Sequence, residues 1–126
     1  MGKNRTITLE EYQRQAMTTC MPTCDNYSYM MLNLVGEVGE LASKVAKAIR
    51  KGEATITNNR LRHPSTRHID CDLESAMAME AGDVLWQLAG LCSVMGWDLN
   101  EIAQMNLDKL ASRQQRGVIE GNGDNR

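Results

Sequence analysis

The pairs Glu37-x-x-Glu40 and Glu80-x-x-Asp83 are the residues whose types and spacing can do chemistry. Residues three apart share one helix face, with Cβ atoms roughly 5–6 Å apart. With Leu34 and Val84 as the zero direction on their own helices, about 100° per residue puts Glu37 near ~300° and Glu40 near ~240°. The same arithmetic puts Glu80 near ~320° and Asp83 near ~260°. Both pairs flank an apolar stripe on the same side. If the stripes pack together, four carboxylates converge at the border of the core, where they repel unless cations neutralise them. Oxygen ligands select Mg²⁺, Mn²⁺ or Ca²⁺ over zinc. Gly36, Gly39 and Gly82 stand beside the acids. Each costs a helix roughly 1 kcal/mol relative to Ala, which points to close packing or ligand approach. The competing reading is a solvated acidic surface, with Lys44 four residues beyond Glu40 as its partner.

A second group is cationic. Asn106 and Lys109 share a helix face, and Arg113 lies one turn further. A Lys point charge and an Arg fork suit phosphate oxygens. The competing reading is a pair of helix C-terminal cations favoured by the dipole. Beyond them the tail, residues 117–126, is rich in Gly and Asn. It either frays or folds over a site, where its glycines let backbone N–H groups approach phosphate. Trp86 and Trp97 read as core or interface residues, with base stacking the less favoured role.

Helices must position these groups. Thr8-Leu9-Glu10-Glu11 fits a capping box, predicting a first helix from about Thr8 to Thr19, and Pro22 ends it. Met31, Leu34, Val38, Leu41, Val45 and Ala48 or Ile49 predict a second helix, stopped by Gly52. Met77, Ala81, Val84, Leu88, Leu91 and Met95 predict a third, stopped by Gly96. Asp98 to Glu101 opens a fourth, which runs through Ile102, Met105 and Leu107 to about Arg113. Between the second and third, residues 52–73 lack helical periodicity and read as a flexible loop carrying Arg60, Arg62, His63, Arg67 and His68. The expectation is one all-α domain over residues 1–126, a four-helix bundle with its helical core at about 8–113.

Composition narrows the function. Phe is absent and aromatics make up only 4%, while Leu, Ala and Met abound, a mixture that favours helix over sheet. A net charge of −2 argues against sequence-independent nucleic-acid binding. No apolar run reaches the roughly 18–20 residues a membrane span needs, and no secretory signal is visible. A cytoplasmic protein with free thiols at Cys20, Cys24, Cys71 and Cys92 follows as the expectation. A di-metal bundle built on Glu-x-x-His is disfavoured because His63 and His68 both fall in the long loop. A zinc site from Cys20, Cys24, His68 and Cys71 has irregular spacing and is disfavoured too.

Leu34-Val35-Gly36-Glu37-Val38-Gly39-Glu40-Leu41, then Glu80-Ala81-Gly82-Asp83-Val84-Leu85-Trp86-Gln87-Leu88, resembles the MazG-like all-α nucleoside triphosphate pyrophosphohydrolases. Asp98 to Ala103 and Asn106-Leu107-Asp108-Lys109-Leu110 resemble that family's last core helix. The likeness covers roughly Leu9 to Arg116. The chain departs from the family pattern at Gly36, where the first Glu of E-E-x-x-E usually stands. The resemblance implies hydrolysis of a nucleoside triphosphate to the monophosphate and pyrophosphate with Mg²⁺, Mn²⁺ being a substitute. It implies Glu37, Glu40, Glu80 and Asp83 as metal ligands, with Glu37 or Glu40 orienting or deprotonating the attacking water. Asn106, Lys109 and Arg113 would contact phosphate. It also implies a homodimer or homotetramer, in keeping with the modest core of so small a bundle. The non-enzymatic alternative is a helical interaction module whose acids are surface charges.

Overall fold

The computed structural model describes residues 5–63 and 73–126. Its helices are α1 (Leu9–Met17), α2 (Tyr27–Arg50), α3 (Leu73–Val94) and α4 (Leu99–Arg116). The all-α bundle expected from the periodicity is what forms. Thr8 caps α1, its side chain accepting from the Glu11 N–H at 3.0 Å. The other half of the expected box is different, because the Glu11 carboxylate accepts from Arg5 and from Gln15 Nε2. Asn26 caps α2 through the Tyr29 N–H at 2.8 Å. Gly52, Gly96 and Gly117 take φ of 73°, 72° and 69°, the left-handed conformation that closes helix ends cheaply only in glycine.

The stretch expected to be an irregular loop contains a hairpin. Strands β1 (Thr55–Thr57) and β2 (Arg60–Arg62) pair antiparallel, with Ile56 opposite Leu61. Asn58 and Asn59 form the turn at φ 53° and 60°, the two positive values a tight hairpin turn demands. Arg67 lies outside the described residues, as do His68 and Cys71, two of the four residues of the disfavoured zinc set.

Helices α2 and α3 pack along their length, and α1 lies across α3. The α2–α3 contact is tight at one place. A Cβ on Gly90 would stand 2.3 Å from the sulfur of Met30, a fully buried side chain. Ala89, Cys92 and Leu99 form the core, with Leu9, Tyr12, Met17, Leu88 and Ile102 packed on it. Helix α4 departs from expectation: Met105 and Leu107 are 66% and 60% exposed. It joins the core through Leu99 and Ile102 and packs mainly on the short α1, which leaves its later turns uncovered. Val38, Ala81 and Met95, expected to face inward, are exposed as well, and of the alternatives Ala48 and Ile49 it is Ala48 that is buried.

Candidate active site

Because α2 and α3 run side by side, acids on matching edges of the two helices meet. Glu37, Glu80 and Asp83 each offer a carboxylate oxygen, and these atoms all lie within 4.8 Å of one another. Glu37 and Glu80 are half-buried and Asp83 is exposed. Three of the four acids named as metal ligands are thus brought together. Glu40, one turn along α2, is exposed and stands outside this group.

Lys44 is placed differently from the surface reading. Its Nζ lies 3.3 Å from Oε1 of Glu80 on the neighbouring helix, not beside Glu40. One ammonium therefore offsets part of a three-carboxylate charge.

The half-buried acid is oriented from behind. Asn33 Nδ2 donates to Glu37 Oε1 at 3.3 Å, to Gln87 Oε1 at 3.0 Å and to the Tyr29 hydroxyl at 3.4 Å. Gln87 is buried, and its Nε2 donates to the Met30 sulfur at 3.3 Å and to the Met30 carbonyl at 3.5 Å. A polar chain thus runs from the α2–α3 core to the acid cluster, its buried members satisfied as burial requires. The sequence reading passed over Asn33 and Gln87. The signal was present: Asn33 lies four residues before Glu37 and Gln87 four after Asp83, so each sits one turn from an acid.

Helix α1 closes one flank. Trp86 Nε1 donates to the Ala16 carbonyl at 3.1 Å and to Thr19 Oγ1 at 2.9 Å, so the indole is held against α1. Gln13 Nε2 donates to Ser93 Oγ and to the Trp97 carbonyl, and its Oε1 accepts from the Leu99 N–H. The Tyr12 hydroxyl is pushed above its ordinary pKa, first by burial and then by the negative charge of Asp83. That places the phenol within the field of the acids. Gly39 and Gly82 do not serve packing, because a Cβ at either would meet nothing within 4 Å. Each lies two residues, about 200° of helix, past Glu37 or Glu80, so the space they leave open is on the side away from those carboxylates.

The expected phosphate ligands face elsewhere. Lys109 Nζ and Arg113 Nη2 both reach Asp124 Oδ1, at 3.2 Å and 2.9 Å, so the tail has folded onto α4. Arg113 is only 4% exposed, and Asn106 is exposed.

The family model of the MazG nucleotide pyrophosphohydrolase domain matches residues 25–118, a span that holds all four acids, Asn106, Lys109 and Arg113. The chain belongs to this MazG family. The Gene 37 protein of Mycobacterium phage L5 is similar, 41% identical over 106 residues that make up 82% of each chain. No solved structure matches significantly. MazG enzymes are metal-dependent, and the donor set fits a hard divalent cation: three carboxylates, with no thiol or imidazole in the group. The MazG span stops at Val118, so Asp124 lies beyond it. Among the described residues no helix is long and apolar enough to cross a membrane.

Proposed function

We propose that this MazG chain hydrolyses a nucleoside triphosphate, adding water across a phosphoanhydride bond to release the nucleoside monophosphate and pyrophosphate, in a reaction that needs Mg²⁺ or, in its place, Mn²⁺. The observation that carries this reading is the meeting of Glu37, Glu80 and Asp83 across two helices in a chain of this family. Three carboxylates alone repel a triphosphate, so a cation must bridge them to the substrate. When bound, the metal supplies charge neutralisation on the phosphoryl oxygens and a more acidic water.

The chain's own groups divide the remaining work. Glu37, Glu80 and Asp83 would hold the metal, with Glu40 completing the set from the next turn of α2. The Asn33 amide fixes the Glu37 carboxylate, and Glu37 or Glu40 orients the water and takes its proton. Lys109, Arg113 and Asn106 contact the outer oxygens of the triphosphate.

Self-association belongs to the same proposal. Leu32, Val35, Gly39, Ala42, Ala46 and Ile49 recur at steps of three and four and are all exposed, so α2 carries an uncovered apolar stripe. Met105, Leu107 and Leu110 are exposed on α4 as well. Within one chain Lys109 and Arg113 turn to the tail, and a second copy can bring its own α4 to the acids. Free thiols at Cys20, Cys24 and Cys92 agree with a cytoplasmic protein.

The test is incubation with a panel of nucleoside triphosphates with and without Mg²⁺, followed by chromatography for monophosphate and pyrophosphate. Metal-dependent release of both products supports the reading. No turnover with any nucleotide refutes it and leaves a helical interaction module.

A further inference from the structure

Beyond Gly117 the chain turns back and closes a small ring on the last turns of α4. Gly117 N–H and Val118 N–H bond to the carbonyls of Gln114 and Arg113, at 3.2 Å and 2.9 Å. Gly121 N–H then donates to the Val118 carbonyl at 3.0 Å. Arg126 lies across Gly121, where a Cβ would stand 2.7 Å from its Cδ, and its Nη1 donates to the Gly123 carbonyl. Arg116 Nη2 donates to the Arg126 backbone oxygen at 2.7 Å. Four cations, Lys109, Arg113, Arg116 and Arg126, are thereby gathered, and the Asp124 side-chain carboxylate is bonded to two of them, Lys109 and Arg113.

The fit of that carboxylate is poor in an informative way. Arg113 has a side chain only 5% exposed, whereas that of Asp124 is 83% exposed. Asp124 touches the guanidinium through Nη2 alone, and Nη2 also reaches the carbonyls of Gly123 and Asp124 at 3.4 Å and 3.3 Å. The Nε of Arg113 is buried with no acceptor, and so is the Nε of Arg126. A guanidinium donates best as a two-pronged fork, and a buried donor left unmatched is costly. A tetrahedral phosphoryl group carries the additional oxygens that could meet Nε and Nη2 together, with Lys109 on a third. The occupant that is present satisfies this site less well than a phosphate would.

We propose that the α4–tail junction is an anion site for phosphoryl oxygens, and that Asp124 is a stand-in for the ligand, so that docking of the tail and binding of a di- or triphosphate at Lys109 and Arg113 exclude one another. This deepens the proposed function by adding a gate to its phosphate contacts, and it rests on that reading for its physiological ligand. The tail leaves when phosphate arrives and returns when the product departs. Because the Asp124 carboxylate stays in water throughout, little solvation is lost or regained in the exchange.

Metal-free pyrophosphate is the probe. It is titrated into the full chain while hydrogen exchange is followed on the segment 117–126, with triphosphate, monophosphate and sulfate as parallel arms. The expected result is faster tail exchange as pyrophosphate or triphosphate saturates, with monophosphate and sulfate weak. Asp124→Asn, at an exposed position that leaves the fold intact, should bind pyrophosphate about tenfold more tightly, since one competing anion is removed. Lys109→Ala should lose most of the binding. Slower tail exchange with pyrophosphate, or weaker binding by Asp124→Asn, would show Asp124 to position the cations and overturn the gate. No binding, or binding with no change in the tail, would overturn it also. A wild type that binds pyrophosphate and releases its tail but hydrolyses no nucleotide would leave the gate standing and remove the proposed function alone.

Discussion

Asp83, Glu37 and Glu80 are separable by substitution because each offers one oxygen to a cluster whose members lie within 4.8 Å of one another. Replacing Glu37 by Gln or Asp83 by Asn keeps shape and removes one charge. Either should lower kcat/KM roughly 100-fold or more and weaken Mg²⁺ binding with it. Glu40→Gln tests whether an acid outside the observed group enters catalysis, and the same loss is expected of it. Lys44 works in the opposite sense. Its ammonium already neutralises Glu80, so it competes with a divalent cation. Lys44→Met should tighten Mn²⁺ binding, read by calorimetry, by about fivefold at most, because a half-exposed pair is worth no more than about 1 kcal/mol. Asp124 carries the pH prediction. The Arg113 hydrogen bond, then that of Lys109, holds its carboxyl below the usual 3.8. A lowered pKa means that docking favours the ionised form, so this stabilisation is full above the ordinary value and lost as pH falls through the lowered one. Tail protection, taken as exchange relative to the intrinsic rate at each pH, should therefore be constant from neutral pH to about 4 and fall only below it.

At the scale of elements, the contact that sets the α2–α3 distance is Gly90 against Met30. Gly90→Ala pushes a methyl group into a fully buried side chain and should destabilise the fold by about 1–3 kcal/mol in denaturant melts. Gly82→Ala meets open space on the same helix and should stabilise by about 0.5–1 kcal/mol through helix propensity. Equal effects from the two would refute the packing assignment. The pair also shows what a sequence discloses. Steps of three and four fixed the rotation of α2 and α3, and that rotation was enough to bring Glu37 to Glu80 and Asp83. The glycine that matters for packing was not legible, since nothing in one strand of text says which residue of a partner helix it meets. Asn58-Asn59 between Thr55-Ile56-Thr57 and Arg60-Leu61-Arg62 was legible as a hairpin, because Asn tolerates positive φ, yet the search for helical period passed over it. The tail's fold was the least legible. It depends on one carboxylate finding two cations eleven and fifteen residues away.

For the whole molecule, the question is how one bundle would complete a site whose acids and proposed phosphate contacts lie on different helices. The acids lie between α2 and α3, whereas Lys109 and Arg113 lie on the part of α4 beyond Ile102, past its contact with the core. An assembly through the exposed stripe of α2 would cover Leu32 and Val35, which are 73% and 71% exposed in the single chain. Apolar side chains recurring along one helix face at that exposure are a surface that water disfavours and a twofold partner can bury. Val35→Glu puts a charge in the middle of the stripe without touching α3 and should shift the size-exclusion profile toward monomer. If each site takes acids from one copy and cations from another, two inactive variants can rescue one another. Glu37→Gln and Lys109→Ala, unfolded and refolded together in equal amounts, make mixed dimers in half of the population, each with one intact site and one doubly damaged site. About a quarter of wild-type activity should return. Sites contained within single chains would recover nothing on mixing, and in that case the α4 cations must reach the acids of their own chain by leaving the tail.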